Sequence, residues 1–140
     1  MVFCKGSIFV KVQRLKLKRS VKMFINLTNH PSDKWSESQR KAAEEYGEIV
    51  DIGFPDIDSK MSSEEVKRFA MDYVKKIMEK KPKCVLCQGE FTFSYQVIKE
   101  LKARGIKTVA VCSERHTSEM VAGDVTSRVS LFEFVQFREY

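Results

Sequence analysis

The stretch KCVLCQGEFTFSYQVIKELKARGIKTVAVCSER, residues 83–115, decides the fold. Residues 84–87 form a continuous apolar run, which is typical of a strand covered on both faces. Apolar residues then recur at helical spacing up to Gly105, which is suited to end a helix in the left-handed conformation. Residues 108–112 form the next apolar strand. A strand–helix–strand unit of this length predicts a right-handed parallel crossover.

Two further strand–helix pairs precede this unit. Residues 24–27 predict strand one, and residues 48–54 predict strand two. Between them, Ser36 and Gln39 have the spacing of a capping box, which predicts the start of helix one. That helix is expected to stop at Gly47.

Helix two has the strongest helical pattern in the chain. Ser62 and Glu65 form a capping box, and Met61 with Val66 form a hydrophobic staple. Pro82 is expected to end the helix region. The apolar stripe has the spacing of a core-facing helix and consists of Val66, Phe69, Ala70, Tyr73, Val74, Ile77 and Met78.

The C-terminal part predicts one more strand. Residues 113–124 are polar and too short for a crossover helix, so we expect a loop there, and a strand over 128–140 must run antiparallel to strand four. Its alternation places Phe132 and Phe134 on one face and Val129, Leu131, Val135 and Phe137 on the other. The fold class is therefore α/β: one Rossmann-like three-layer domain over residues 23–140. Its five-stranded sheet is mostly parallel, with order 2-1-3-4-5 and an antiparallel edge strand at the C-terminus.

The positive charge of the chain is concentrated at its N-terminus. Residues 1–22 carry seven basic residues and no acidic one, which leaves 18 basic and 19 acidic residues in the other 118, a net charge of −1. The folded body is therefore not expected to bind long nucleic acid. Three readings of residues 1–22 stay open: an exposed edge strand, a basic arm for nucleic acid, or a non-native extension before a start at Met23.

Composition also limits the location and the cysteine chemistry. No apolar run reaches the eighteen residues of a membrane span, so we expect a soluble, cytoplasmic protein without a membrane partner. Cys84 and Cys87 form a C-x-x-C inside a strand, where side chains three residues apart point to opposite faces. We therefore expect neither a redox pair nor a metal site, and no cofactor.

Two predicted loops meet at the carboxyl edge of the sheet, where chain direction reverses between strands one and three. Hydroxyls, amides and helix N-termini there suit a phosphate or a nucleotide, and an aromatic ring (Phe91, Phe93 or Tyr95) can stack on a base. Arg115, after strand four, is the expected phosphate fork. The candidate ligand-binding residues are Thr28, Asn29, Ser32, Gln88, Gly89, Glu90, Thr92, Ser94 and Arg115, and His30 is the candidate catalytic residue.

Each of these residues also has a purely structural reading. Ser32, Ser36, Thr92 and Ser94 are of the types that cap helices, and Glu90 can cap helix three or pair with a neighbouring base. His30 can be a loop residue bonded to backbone. The chain contains no dinucleotide fingerprint, Walker loop, zinc-protease motif or nucleophile elbow. The residues alone therefore indicate a Rossmann-like small-ligand or nucleotide site of low specificity.

Five strings carry a resemblance to a known family: NHPSDKW (29–35), YGEIVDIGFPDID (46–58), QGEFTFSYQVIKELKARGI (88–106), CSER (112–115) and FEFVQFREY (132–140). They resemble a family of small, Rossmann-like CRISPR-associated proteins. That family is similar to the CARF domains and ring nucleases of type III CRISPR loci, which act in antiviral defence.

The resemblance implies a function. Such proteins bind cyclic oligoadenylate second messengers as dimers, and ring nucleases cleave them without metal by holding a ribose 2′-hydroxyl in line with the neighbouring phosphate. For this chain it implies a homodimer that binds, and can cleave, a cyclic oligoadenylate, with His30 as general acid or base. A second hypothesis is a non-catalytic module of a CRISPR locus that docks on a protein through its alternating C-terminal strand.

Overall fold

The computed structural model describes residues 21–140, so most of the basic N-terminal extension lies outside the described residues. Within residues 21–140, five strands and three α-helices follow one another. The elements are β1 (Met23–Thr28), a 3₁₀ turn (Ser32–Lys34), α1 (Glu37–Glu44), β2 (Glu48–Gly53), α2 (Ser63–Glu79), β3 (Pro82–Gln88), α3 (Phe91–Ala103), β4 (Lys107–Ala122) and β5 (Val125–Glu139).

The strands form one mixed sheet of order β2-β1-β3-β4-β5. β1 pairs in parallel with both β2 and β3, so that Ile25 lies between Val50 and Val85. β3 and β4 are also parallel, whereas β4 and β5 are antiparallel. The predicted fold class, strand order and antiparallel edge strand are confirmed.

Alternation along the central strands divides the core into two layers. Ile25, Leu27 and Val85 pack with α2 and α3 on one face of the sheet. Phe24 and Leu86 pack on the opposite face, against Ala43 of α1 and other residues. Both faces of β1 and β3 are therefore buried, as their continuous apolar sequence predicted.

The predicted start of α2 is confirmed in atomic detail. The Ser62 hydroxyl accepts a hydrogen bond from the Glu65 backbone N–H at 3.2 Å, and the Glu65 carboxylate accepts one from the Ser62 N–H at 2.9 Å. All seven residues of the apolar stripe contact the core. Among residues 21–140, no helix has both the length and the apolar character that crossing a membrane requires.

The loop predicted for residues 113–124 is wrong, because β4 continues through Ala122. It turns at Gly123 and Asp124 and pairs along its length with β5. Gly123 has φ +62°, and only the first of the two loop residues has positive φ, as in a type II′ turn. We call residues 113–134 the β-arm. With about 3.3 Å per residue, it extends the β4–β5 pair about 33 Å away from the rest of the sheet.

A bulge at the base of the β-arm also changes the predicted alternation of β5. Cys112 pairs with Gln136, but Ser113 pairs with Phe134, so Val135 is an extra residue on β5. The bulge brings Phe134 and Phe137 to the same face, with ring centroids 5.0 Å apart. The prediction that these two rings lie on opposite faces is therefore wrong.

Candidate functional site

The loop after β1 is held by a polar network built on a buried asparagine. Asn26 is 1% exposed, and its Nδ2 donates to Asp51 Oδ1 and to the His30 carbonyl, each at 2.9 Å. The Thr28 hydroxyl donates to Asn26 Oδ1 at 2.8 Å, and the Ser32 hydroxyl donates to Asp51 Oδ2 at 2.9 Å. Thr28 and Ser32 therefore hold the loop in shape. Sequence reasoning missed Asp51, which lies on β2.

Among the described residues, the backbone of His30 is hydrogen-bonded, whereas its ring is not. Its carbonyl also accepts from Trp35 Nε1 at 3.0 Å, so its backbone is fixed. Its imidazole is exposed and makes no hydrogen bond within the part of the chain that the structure describes. Asn29 beside it is also exposed. This loop therefore presents one imidazole and one amide to solvent at the carboxyl edge of β1.

Glu90 caps α3 just after the carboxyl end of β3. Its carboxylate accepts from the Phe93 N–H at 2.7 Å and from the Thr92 hydroxyl at 2.8 Å. The hydrogen bond from the Phe93 N–H has the largest effect on the pKa of Glu90, and together with the bonds from Thr92 it holds that pKa below its ordinary value, against the opposing effect of burial. A carboxylate thus occupies the helix N-terminus where a phosphate was expected, and it would repel one.

Gln88 and Gly89 are both engaged in packing the end of β3. The Gln88 side-chain oxygen accepts from the Val111 N–H at 3.0 Å, which extends the β3–β4 pairing by a side-chain bond. Gly89 lies against the ring of Phe54. The Gln88 side-chain oxygen is therefore used by the backbone of β4, and Gly89 is covered by a ring.

Ser94 and Arg115 do not join the other candidate residues. Ser94 is 6% exposed and lies next to the Cys87 thiol on the core side of α3. Arg115 lies on the β-arm, four residues past Val111, and donates to the Ser130 hydroxyl at 3.0 and 3.2 Å. The expectation that Arg115 follows the end of a strand at the sheet edge is therefore wrong, because β4 does not end there.

A pocket between the first turns of α2 and α3 contains residues that the sequence analysis did not select. Its volume is about 370 Å³, and three residues named by the sequence analysis line it: Thr92 as a ligand-binding candidate, and Phe91 and Tyr95 as rings that can stack on a base. Phe91 and Tyr95 are 89% and 63% exposed, and the buried Gln96 Oε1 has no hydrogen-bond partner among residues 21–140. The pocket is lined by Met61, Ser63, Val66, Phe91, Thr92, Tyr95 and Gln96.

The cysteines of the C-x-x-C lie on opposite faces of β3, as predicted, because Cys84 packs with Phe24 and Cys87 with Ile25. Burial raises the pKa of the Cys84 thiol to about 11 and that of Cys87 to about 12. Both thiols are therefore protonated near neutral pH, and geometry forbids a disulfide between them.

A larger, open cavity of about 780 Å³ lies over α1 and the start of β2. Its walls carry both signs of charge, from Arg40 and Lys83 and from Glu44 and Glu48. Of the candidate residues, Ser32 alone among those described lines it. An open cavity with walls of mixed charge favours no particular class of ligand. The α2–α3 pocket is therefore the better candidate for a ligand-binding site.

Comparisons with known proteins give one relationship. Neither the curated proteins nor the solved structures contain a match to this chain. Residues 22–138, which include all five strands except the last residue of β5, match a protein family. The chain belongs to the Uncharacterized protein MJ1673 family.

Proposed function

We propose that this protein is a CRISPR-associated protein that binds a cyclic oligoadenylate at the carboxyl edge of its sheet, with one adenine in the α2–α3 pocket. The observation that carries the proposal is that one pocket is lined by two exposed rings, Phe91 and Tyr95, and by Gln96, whose buried Oε1 has no hydrogen-bond partner among residues 21–140. An aromatic ring stacks on any base, and a glutamine amide matches the donor and acceptor pattern of adenine.

The size of the pocket supports a dimeric binding site. A volume of about 370 Å³ is near the lower end for small-molecule sites and suits one nucleoside rather than a ring of several. A cyclic oligoadenylate therefore needs a second copy of the chain to hold its other bases. A two-fold homodimer presents two identical pockets to such a ring.

Cleavage is a separate step of the proposal, and it depends on His30. The exposed imidazole of His30 is held by its own fixed backbone, which suits a general acid or base. His30→Ala should slow turnover of the ring by about 10²–10⁴-fold and leave affinity nearly unchanged. Turnover at the normal rate in this variant would leave binding as the whole function of the site.

The experiment is titration of the full chain with cyclic tri-, tetra- and hexa-adenylate in the absence of metal, by calorimetry. Phe91→Ala should weaken binding by about 1–3 kcal/mol, the value of one stacked base. Phe132→Ala is the matched control, because Phe132 is 71% exposed but lies on the β-arm. No binding of any ring at micromolar protein would refute the proposal, as would equal losses in the two variants.

A second candidate function, a protein-interaction module, is favoured by the β-arm. Within the described residues, the β-arm strands pair with each other alone, and the outer edge of β5 is open. Seven large apolar side chains of β4 and β5 are 43–72% exposed. These residues are Met120, Val121, Val125, Val129, Leu131, Phe132 and Val135. Open strand edges with such side chains pair readily with another strand.

In this second candidate the open edge of β5 pairs with a strand of a protein partner of a CRISPR locus, and self-association through two antiparallel β5 strands is the form of this pairing that the chain alone can test. Light scattering over a concentration series should give a dimer for the wild type and a monomer for Leu131→Asp. Lys99→Asp, an exposed change on α3, is the control. A wild-type monomer at all concentrations, or a dimer that Leu131→Asp leaves intact, would exclude the β-arm as the interface.

A further inference from the structure

Three potential metal ligands lie together on one face of the β-arm. Glu114 and His116 are two residues apart on β4, so their side chains share a face. Glu133 of β5 lies directly opposite Glu114. Backbone register, rather than a flexible loop, therefore brings two carboxylates and one imidazole to the same place.

The distances suit a small cation. His116 Nε2 lies 2.9 Å from Glu133 Oε2 and 3.9 Å from Glu114 Oε2, and one ligand atom from each residue lies within 4.8 Å of the others. Tetrahedral zinc with bonds of about 2.1 Å requires ligand atoms about 3.4 Å apart. All three side chains are more than half exposed, so small rotations can widen the shorter separation and shorten the longer one to reach that value.

The charges around these residues also favour a cation. Like charges directly opposite each other on paired strands are destabilising, and Glu114 and Glu133 form such a pair. Within residues 21–140, neither carboxylate forms an ion pair with a lysine or an arginine. The two arginines of the β-arm are used elsewhere, since Arg115 bonds Ser130 and Arg128 bonds Glu119.

We propose that Glu114, His116 and Glu133 bind one divalent transition-metal ion of the Zn²⁺ class. Imidazole and carboxylate are both ligands of zinc, and three protein ligands leave a fourth position open to water or to a group from a partner. The site lies on the β-arm, away from the α2–α3 pocket, so it is independent of nucleotide binding. Bound metal would also tie β4 to β5 and stiffen the β-arm.

The test uses the full chain after treatment with a chelator, titrated with ZnCl₂ by calorimetry. We expect one Zn²⁺ per chain at micromolar affinity, and a loss of at least about 10-fold in His116→Ala and in Glu133→Gln. His30→Ala is the matched control, because His30 is also an exposed histidine. It should bind Zn²⁺ as the wild type does.

Two further readouts separate this site from general binding to exposed histidine. Co²⁺ in place of Zn²⁺ should give the visible absorption of a low-symmetry site in the wild type and lose it in His116→Ala. Circular dichroism establishes that each variant is folded. Absence of Zn²⁺ binding, or equal binding by wild type and His116→Ala, would overturn the proposal and leave the His116 imidazole as a hydrogen-bond partner of Glu133 only.

Discussion

The ring of Phe54 lies so close to Gly89 that a Cβ atom added at Gly89 would be 2.4 Å from two of the ring carbons. Phe54 follows β2 and Gly89 follows β3, so this contact joins two loops at the carboxyl edge of the sheet. The same ring packs edge-on against Phe93 at 5.3 Å between centroids. These two loops and the core beneath them are therefore one packed unit.

Gly89→Ala should destabilise the protein by about 1–3 kcal/mol, because the new methyl group must displace a packed ring. The measurement is the free energy of unfolding in urea. Gly53→Ala is the matched control, since a Cβ there would meet nothing within 4 Å. In a double-mutant cycle, Phe54→Ala should relieve part of the cost, and additive effects would show that the two residues do not press on each other.

Phe93→Ala should destabilise by about 3–5 kcal/mol, because it empties a fully buried site. Phe93 contacts the rings of Phe54, Phe69 and Tyr73 at 5.3–5.5 Å between centroids. Phe91→Ala, two residues earlier in α3, should change stability by less than about 0.5 kcal/mol, since Phe91 is 89% exposed. Similar losses of unfolding free energy in both would contradict the assignment of Phe93 to the core and Phe91 to the pocket.

Asn26→Ala should cost about 1–3 kcal/mol, because it leaves partners of a buried amide without hydrogen bonds. The same change should loosen the loop that fixes His30, which hydrogen exchange at residues 29–36 can detect. Asn29→Ala, an exposed neighbour, serves as the control and should be nearly neutral. If exchange in the loop stayed at the wild-type rate in Asn26→Ala, the network would not be what holds the loop.

Glu90→Gln should lower stability at neutral pH but not in acid. The pKa of Glu90 in the folded protein lies below its ordinary value of 4.5, so its carboxylate stabilises the fold above that pH. That contribution is lost as pH falls through the folded pKa. The gap in melting temperature between wild type and variant should therefore shrink below about pH 4.5. If the difference in melting temperature stayed constant into acid, or if Glu44→Gln gave the same difference, the Glu90 cap would not be its cause.

The thiols of Cys84 and Cys87 should resist alkylation near pH 8 in the folded protein. Burial raises both pKa values, to about 11 and about 12, so almost no thiolate is present at that pH. Cys112 is only half-buried and should react sooner. Mass spectrometry of the digested protein gives the label at each site. Labelling of all three at one rate without denaturant would show that β3 opens readily.

Local patterns predicted the central fold because each depends on near neighbours in the chain. The capping box joins Ser62 to Glu65, three residues further along the chain. Gly105, with φ +75°, lies just after the helix that it ends. Each feature therefore involves only near neighbours in the chain. The continuous apolar run of β3 predicted its burial on both faces. The Gly123-Asp124 turn could also have been predicted, because Gly-Asp between two apolar residues is a hairpin pattern. The rest of the segment before it is mostly polar, and that composition favoured a loop.

The sequence by itself determined the α/β class, the strand order and the two-sided core, because periodicity and caps are local properties of the chain. Only the tertiary structure decided which polar groups are hydrogen-bonded within the protein and which residues distant in the chain come together. Asp51 reaches Ser32 because β1 and β2 are neighbours in the sheet, and Glu133 reaches Glu114 and His116 because a bulge at Val135 sets the register of β5. These pairs lie 17–19 residues apart in the chain. Their meeting therefore depends on strand pairing and register, which no local pattern specifies.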